Sequence, residues 1–332
     1  MLLRFLGRRL WQAVPVLLIV AVGVFFLLEI AEGDAVDAYL AATGVGDAGL
    51  AAQLREQYGL TDSLGTRFLT YMTRLATLDL GWSVAFSRPV VEVIATRLPV
   101  TLLLMGTAIL ISGAMGVILG GLAGWRRGRP EDVGITVLAL VLNAMPGFWL
   151  GLLGIILFSV VLRWLPIGGM GTLGADLSGL AAVFDTARHL VLPVATLALT
   201  YLALYVRLMR AAMIEAADSG WALAARARGL PERQIVLRHL ARPAMLPVVT
   251  MLGLQAGAML GGSVVIETVF AIPGLGRLSY EAVTQRDLPL LAGILLAGTL
   301  VVVVVNILVD LLYRRLDPRV ADSATQGRGG GR

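Results

Sequence analysis

The chain has 332 residues, of which 58% are hydrophobic and 15% charged, and its mean hydropathy is +0.84. Soluble domains carry roughly 45–50% apolar and about 25% charged residues, so lipid rather than water is the solvent for much of this chain. The formal charge is +5, from 27 Arg with no Lys, and the chain has no Cys and two His, His189 and His239. The missing Lys excludes a Walker A ATPase, a Schiff base and a lysine general base. The missing Cys excludes disulfides, a thiol nucleophile and cysteine metal sites. An intramembrane enzyme has little left to be built from.

A membrane-crossing helix needs about 20 mostly apolar residues to span a core roughly 30 Å thick. Six stretches qualify, at about 10–30, 98–124, 133–162, 190–209, 244–266 and 288–313. The predicted organisation is all-α and polytopic. A transmembrane helix (1–31) is followed by a segment outside the membrane (32–97), a five-helix domain (98–316) and a Gly-rich tail (317–332) whose composition predicts disorder. The first stretch is longer than a signal-peptide apolar region and more spans follow it, so it reads as a retained helix. With six spans both termini share one side. That side holds 18 of the 27 Arg but only 8 of the 22 acids, which places the termini and the connections near 125–132 and 210–242 in the cytoplasm.

Within the outer segment, Leu54 to Tyr58, a stop at Gly59 and the apolar spacing of Phe68, Met72, Leu75 and Leu78 predict short amphipathic helices near the membrane surface. Asp79 and Trp82 flank Gly81, and Trp82 fits the interfacial aromatic belt. The second span carries Gly116, Gly120 and Gly124, and the fifth carries Gly253, Gly257 and Gly261. Small residues four apart let backbones approach closely, as a static seam or as a face that rocks during transport. Pro146-Gly147, Pro193 and Pro247 each remove a donor or bend a helix. Asn306 and Asp310 lie one turn apart in the sixth span, as a packing hydrogen bond, an interface position or a functional pair. Glu267 and the turn containing Pro273, Gly274 and Gly276 follow the fifth span, as a gate, a receptor contact or an ordinary tight loop. His189 is placed just before the fourth span, at the interface, and His239 at the end of a loop helix.

The connection from Arg210 to Arg242 is the most informative. Ala224, Ala225, Arg226, Ala227 and Arg228 read as a short helix with small residues on one side and guanidiniums on the other. Gly229 suits a left-handed C-terminal cap, and Leu230-Pro231-Glu232-Arg233 opens a second short helix that Pro243 breaks. Such a knob is either a docking element for another protein or an amphipathic loop lying on anionic lipid.

Residues 205–249 resemble the cytoplasmic loop of ABC-importer permeases, closest to the B-type subunit of dipeptide, oligopeptide and nickel importers. So do DLGWSVAFSRPVVEVIATRLPVTLLL at 79–104, MPGFWLGLL at 145–153, GGSVVIETVFAIPGLGRL at 261–278 and NILVDLLYRRLDPRV at 306–320. The resemblance implies the type I permease fold and the "EAA" coupling element. A literal Glu215-Ala216-Ala217 meets Gly220 one residue too early, so the family's register puts Ala224 and Ala225 before Gly229, with Leu223 at the acidic position. Ala31-Glu32-Gly33-Asp34 departs from the family's usual Pro-Gly-Asp-Pro. What is implied is a bacterial inner-membrane permease that forms a translocation pathway for di- or oligopeptides, or for nickel or glutathione-like solutes. Its implied partners are a C-type permease, two cytoplasmic ATPase subunits, an extracytoplasmic binding protein and membrane lipid, with no nucleic acid. No cofactor is expected on this chain, ATP being used by the ATPases, whose acidic or carbonyl groups Arg226, Arg228 and Arg233 would meet. An ion-coupled secondary transporter is the alternative class, but it calls for mid-span ionisable relays or inverted repeats that the sequence does not display.

Overall fold

The computed structural model describes residues 2–30 and 61–316, with isolated positions between them. The Ala31–Asp34 turn, most of the segment up to residue 60, and the tail from 317 lie outside the described residues. Helix α1 (Leu2–Ile30) is followed by the amphipathic α2 (Leu64–Ala76), the two-residue strands β1 (Trp82–Ser83) and β2 (Arg88–Pro89), and the long α3 (Val90–Trp125). Next come α4 (Pro130–Ala144), α5 (Gly147–Gly154) with a π-helical extension (Ile155–Val161), and α6 (Gly179–Ala217). The chain then forms α7 (Gly220–Ala227), α8 (Glu232–Gln234), a π-helical segment (Ile235–Leu240), α9 (Ala241–Val269), α10 (Leu275–Thr284) and α11 (Leu288–Leu316). Among the described residues, five helices are long and apolar enough to cross a membrane, or six when α4 and α5 with its extension count as one broken span.

The third span, read from the sequence as one stretch that Pro146-Gly147 could bend, is two helices broken at that point. The two halves meet at 100°. The ring of Pro146 disfavours helical backbone in the residue before it, and Met145 is extended at φ −88, ψ 130. Pro193 and Pro247, by contrast, sit inside continuous helices. The fourth span begins well before its apolar stretch, so His189 lies within α6, buried, with Nδ1 2.8 Å from the carbonyl of Asp185. Pro243 breaks nothing either: Leu240 and Ala241 are both helical, and α8, the π segment and α9 run on without interruption.

The chain divides into two compact units. The first comprises residues 1–101 and 273–304. In it α2 packs on the end of α1, with Phe25 and Phe68 edge to face at 5.2 Å and an Arg67–Glu29 ion pair. Val90, Val93 and Ile94 form a core with Leu275, Leu278, Ala282, Leu290 and Ile294. Buried Asp287 caps α11 by accepting from the Leu290 amide at 3.1 Å, and it also accepts from the Ser83 hydroxyl at 2.6 Å and the Ala85 amide at 3.1 Å.

The second unit, residues 102–272 and 305–332, is organised around α6. Ala139 and Leu142 of α4 pack on Leu202, Ala203 and Val206. The glycines of α3 face the same helix. A Cβ on Gly116 would lie 2.3 Å from Cβ of Tyr205, one on Gly120 2.5 Å from the Val206 carbonyl oxygen, and one on Gly124 2.6 Å from Cβ of Met213. Gly253 of α9 is similarly close to Val309, at 2.9 Å. Gly257 is partly buried, and Gly261 lies outside the residues whose packing is described. The spacing of four thus marks a true seam on α3.

Gly120→Ala therefore forces the backbones of α3 and α6 apart, at a cost of about 1–3 kcal/mol for overpacking. We expect a lower thermal midpoint of the detergent-solubilised chain. Gly134→Ala, where a Cβ meets nothing within 4 Å, should match the parent chain.

Candidate functional site

Helix α6 ends at Ala217, and the chain then builds the predicted knob. Helix α7 turns its Ala222 and Ala225 inward, both almost fully buried, against Tyr205, Met209 and Met213 of α6 and Ile235, Val236 and Leu240 of the π segment. Any larger side chain at these two positions would lift α7 away. The outward face carries Trp221, Leu223, Ala224 and Ala227, with Trp221 44% and Leu223 58% exposed.

The knob turns at Gly229, which has φ +75, the left-handed conformation that glycine adopts at least cost. The Gly229 amide donates to the Arg226 carbonyl at 2.9 Å and the Leu230 amide to the Ala225 carbonyl at 3.4 Å, the two bonds of a Schellman cap. Glu215-Ala216-Ala217 is instead the last turn of α6, and Gly220 opens α7 with no positive φ. Of the two registers, only the one ending at Gly229 has the turn that requires glycine.

Two expected docking cations are engaged within the chain. Arg226 grips Glu232 through Nη2 at 3.0 Å and Nε at 3.3 Å, and donates through Nη1 to the Ala217 carbonyl at 3.1 Å. The Glu232 carboxylate holds this guanidinium more firmly protonated than usual. Arg228 donates to the Ala224 carbonyl at 3.2 Å. The Arg226 contacts bridge α7 to α8 and to the end of α6, and the Arg228 contact stays within the end of α7. Arg233 instead lines a shallow groove with Pro231, Gln234, Leu237 and Arg238, where Leu237 is 61% exposed. The sequence reading placed Leu237 in the second helix of the knob and counted Arg238 only toward the charge of that side, and it gave neither a docking role.

The residues of the expected gate are divided between the two units. Glu267 lies inside the last turn of α9, fully buried, rather than beyond it. The left-handed residue there is Ala271, at φ +50. Pro273, Gly274 and Gly276 belong to the other unit, where Gly274 is the extended N-cap of α10 and Gly276 is buried. Asn306 is exposed and Asp310 half-buried on α11.

The sequence also hid a polar tie between α4 and α6. Asp132, 3% exposed, accepts from Arg210 Nε at 2.6 Å and Nη2 at 2.9 Å, and from the Gly128 amide at 2.9 Å. The only local signal was Gly128 four residues before an acid in the first turn of a helix.

Gly229→Val places a β-branched residue at positive φ, a cost of roughly 1–2 kcal/mol or more from the backbone alone, since no atom lies within 4 Å of the new Cβ. We expect faster proteolysis of the purified chain between α7 and α8, a milder effect from Gly229→Asn, and none from Gly220→Val.

Residues 116–322 match the family of binding-protein-dependent transport system inner membrane components. A protein named a peptide permease in Brucella ovis is 38% identical over 320 residues, covering 96% of this chain and 99% of its own. A peptide transport system permease protein of Brucella suis biovar 1 is 38% identical over 313 residues, covering 94% and 97%. The glutathione transport system permease protein GsiC of Salmonella choleraesuis is 38% identical over 320 residues, again covering 96% and 99%. A crystal structure of an amino acid ABC transporter with histidines is similar at TM-score 0.49 and 19% identity, over 68% of this chain and 94% of that one. With a helical bundle of membrane-crossing length and a match over most of the chain, this protein belongs to the binding-protein-dependent transport system inner membrane component family, as a multi-pass permease subunit that works with partner subunits and is not itself an enzyme.

Proposed function

We propose that this chain lines the translocation pathway of an ATP-driven importer of di- or oligopeptides, with both termini in the cytoplasm. The observation that carries the reading is the knob. It presents Trp221 and Leu223 on α7, and Leu237 beside Arg233 and Arg238 in the groove that follows, on a support built from Ala222, Ala225 and the Gly229 cap. Large exposed apolar side chains rimmed by cations mark a protein interface. The occupant in this reading is a cytoplasmic ATPase, two copies of which serve this chain and a related C-type permease. ATP is bound and hydrolysed there, and this chain carries no cofactor. An extracytoplasmic binding protein brings the substrate to the opposite face. Peptides are favoured because the Brucella relatives bear that name over nearly their whole length. Glutathione, named for the Salmonella relative, is itself a small peptide-like solute and forms the second reading.

Two measurements test this. Single cysteines replacing Arg129, Ser219 and Ser178 in this cysteine-free chain should separate by side. An impermeant thiol reagent outside intact cells should reach position 178 alone, and labelling at 129 or 219 would reverse the orientation. In proteoliposomes, peptide uptake should require the ATPases, the second permease and the binding protein together. Uptake by this chain alone with ATP would sink the proposal, and uptake of glutathione but not of dipeptides would favour the second reading.

A further inference from the structure

Helix α4 begins at the turn that follows α3 and ends at the 100° bend at Met145–Pro146. It is tied to α6 at both ends. At the first, Arg210 holds both oxygens of buried Asp132, at 2.6 and 2.9 Å, while the Gly128 amide and the Thr136 hydroxyl donate to the same carboxylate at 2.9 and 3.4 Å. At the second, Arg207 Nη2 donates to Asn143 Oδ1 at 3.2 Å, two residues before the bend begins. Between them lies the apolar seam of Ala139 and Leu142 on Leu202, Ala203 and Val206.

Arg210 also sits where α6 meets the knob. Seven residues further on, the Ala217 carbonyl accepts from Arg226. The Arg127 guanidinium lies 3.6 Å from the Asp218 carboxylate, at the base of α7. The Arg210 carbonyl itself lies under Gly124, where an added Cβ would be 3.0 Å away. Helices α3, α4 and α6 therefore converge on one residue just above the knob.

From this geometry we propose that Asp132 and Arg210 are positioning residues that make α4 travel with the knob, so that a displacement imposed on α7 is delivered to the bend at Met145–Pro146. The proposal rests on the reading that α7 is seated on an ATPase. A bidentate carboxylate–guanidinium pair fixes both distance and angle, which a packed apolar seam does not. The Arg127–Asp218 pair is exposed on both sides and cannot carry the linkage by itself. The competing role is a plain cap in which Asp132 only closes the Gly128 turn.

The test uses the importer assembled with its partner subunits in proteoliposomes. Truncating Arg210 alone would leave the buried Asp132 carboxylate without its countercharge, so the informative variant is the neutral pair Asp132→Asn with Arg210→Gln, which keeps hydrogen bonding at the turn. We expect ATPase co-purification to persist while solute imported per ATP hydrolysed falls roughly fivefold or more, the range of ordinary coupling energies. An unchanged ratio would reduce the pair to a cap and overturn the proposal. A second arm does not depend on that variant folding. Asn143→Cys with Arg207→Cys, bridged by a short bifunctional thiol reagent, joins α4 to α6 covalently. Uptake should survive bridging if the two helices move together, and loss of uptake on bridging would overturn the proposal. Failure of the parent chain to co-purify with any ATPase would instead remove the underlying reading.

Discussion

The second unit depends on two helices touching at their backbones. In lipid there is no hydrophobic force pressing one helix onto another, and association rests on close packing and on polar contacts. Gly116, Gly120 and Gly124 remove every side chain from one stripe of α3, so that Tyr205, Val206, Met209 and Met213 of α6 lie directly on it. Helix α6 has 39 residues, about 58 Å at 1.5 Å per residue, against a bilayer core of roughly 30 Å. That length is enough to cross the core with several turns to spare.

Outside the bilayer the forces change. Ala222, Ala225, Ile235 and Val236 are hidden from water, and full burial of one Ile side chain contributes about 1.5–3 kcal/mol. The Arg226–Glu232 pair is exposed by 38% and 46%, and exposed pairs are worth about 0–1 kcal/mol. Apolar burial holds the knob closed, and the ion pair sets the angle between α7 and the helix after it.

Among the described residues, four helices end in the same Schellman geometry, at Leu78, Gly229, Ala271 and Arg286, with positive φ at each. Three of them place a non-glycine residue there. At two of these three, the next residue is deeply buried, Ile272 after Ala271 and Asp287 after Arg286. That burial offsets the backbone strain. After Leu78 the next residue, Asp79, is exposed, and after Gly229 the next residue, Leu230, is only partly buried, so burial alone does not decide where glycine is used.

Much of this was legible in the chain. Long apolar runs report spans because a bilayer forces backbone hydrogen bonds inside each segment, and glycines four apart report a seam because helix geometry puts them on one face. The Gly229 turn was legible because αL backbone and glycine go together. Three features were decided only by the tertiary structure. Pro146-Gly147 marked the place of the break at Met145, while Pro193 and Pro247, each followed by Val, leave their helices continuous; only the packed chain fixed the 100° angle. Helix α9 continued through Pro243, after a π-helical segment whose Ile235, Val236 and Leu240 are buried. Arg226 turned inward to Glu232 and Ala217, and Arg210 found Asp132 across 78 residues of chain. Sequence periodicity places a residue on a face of its own helix. The partner on the other side of that face exists only once the helices have packed.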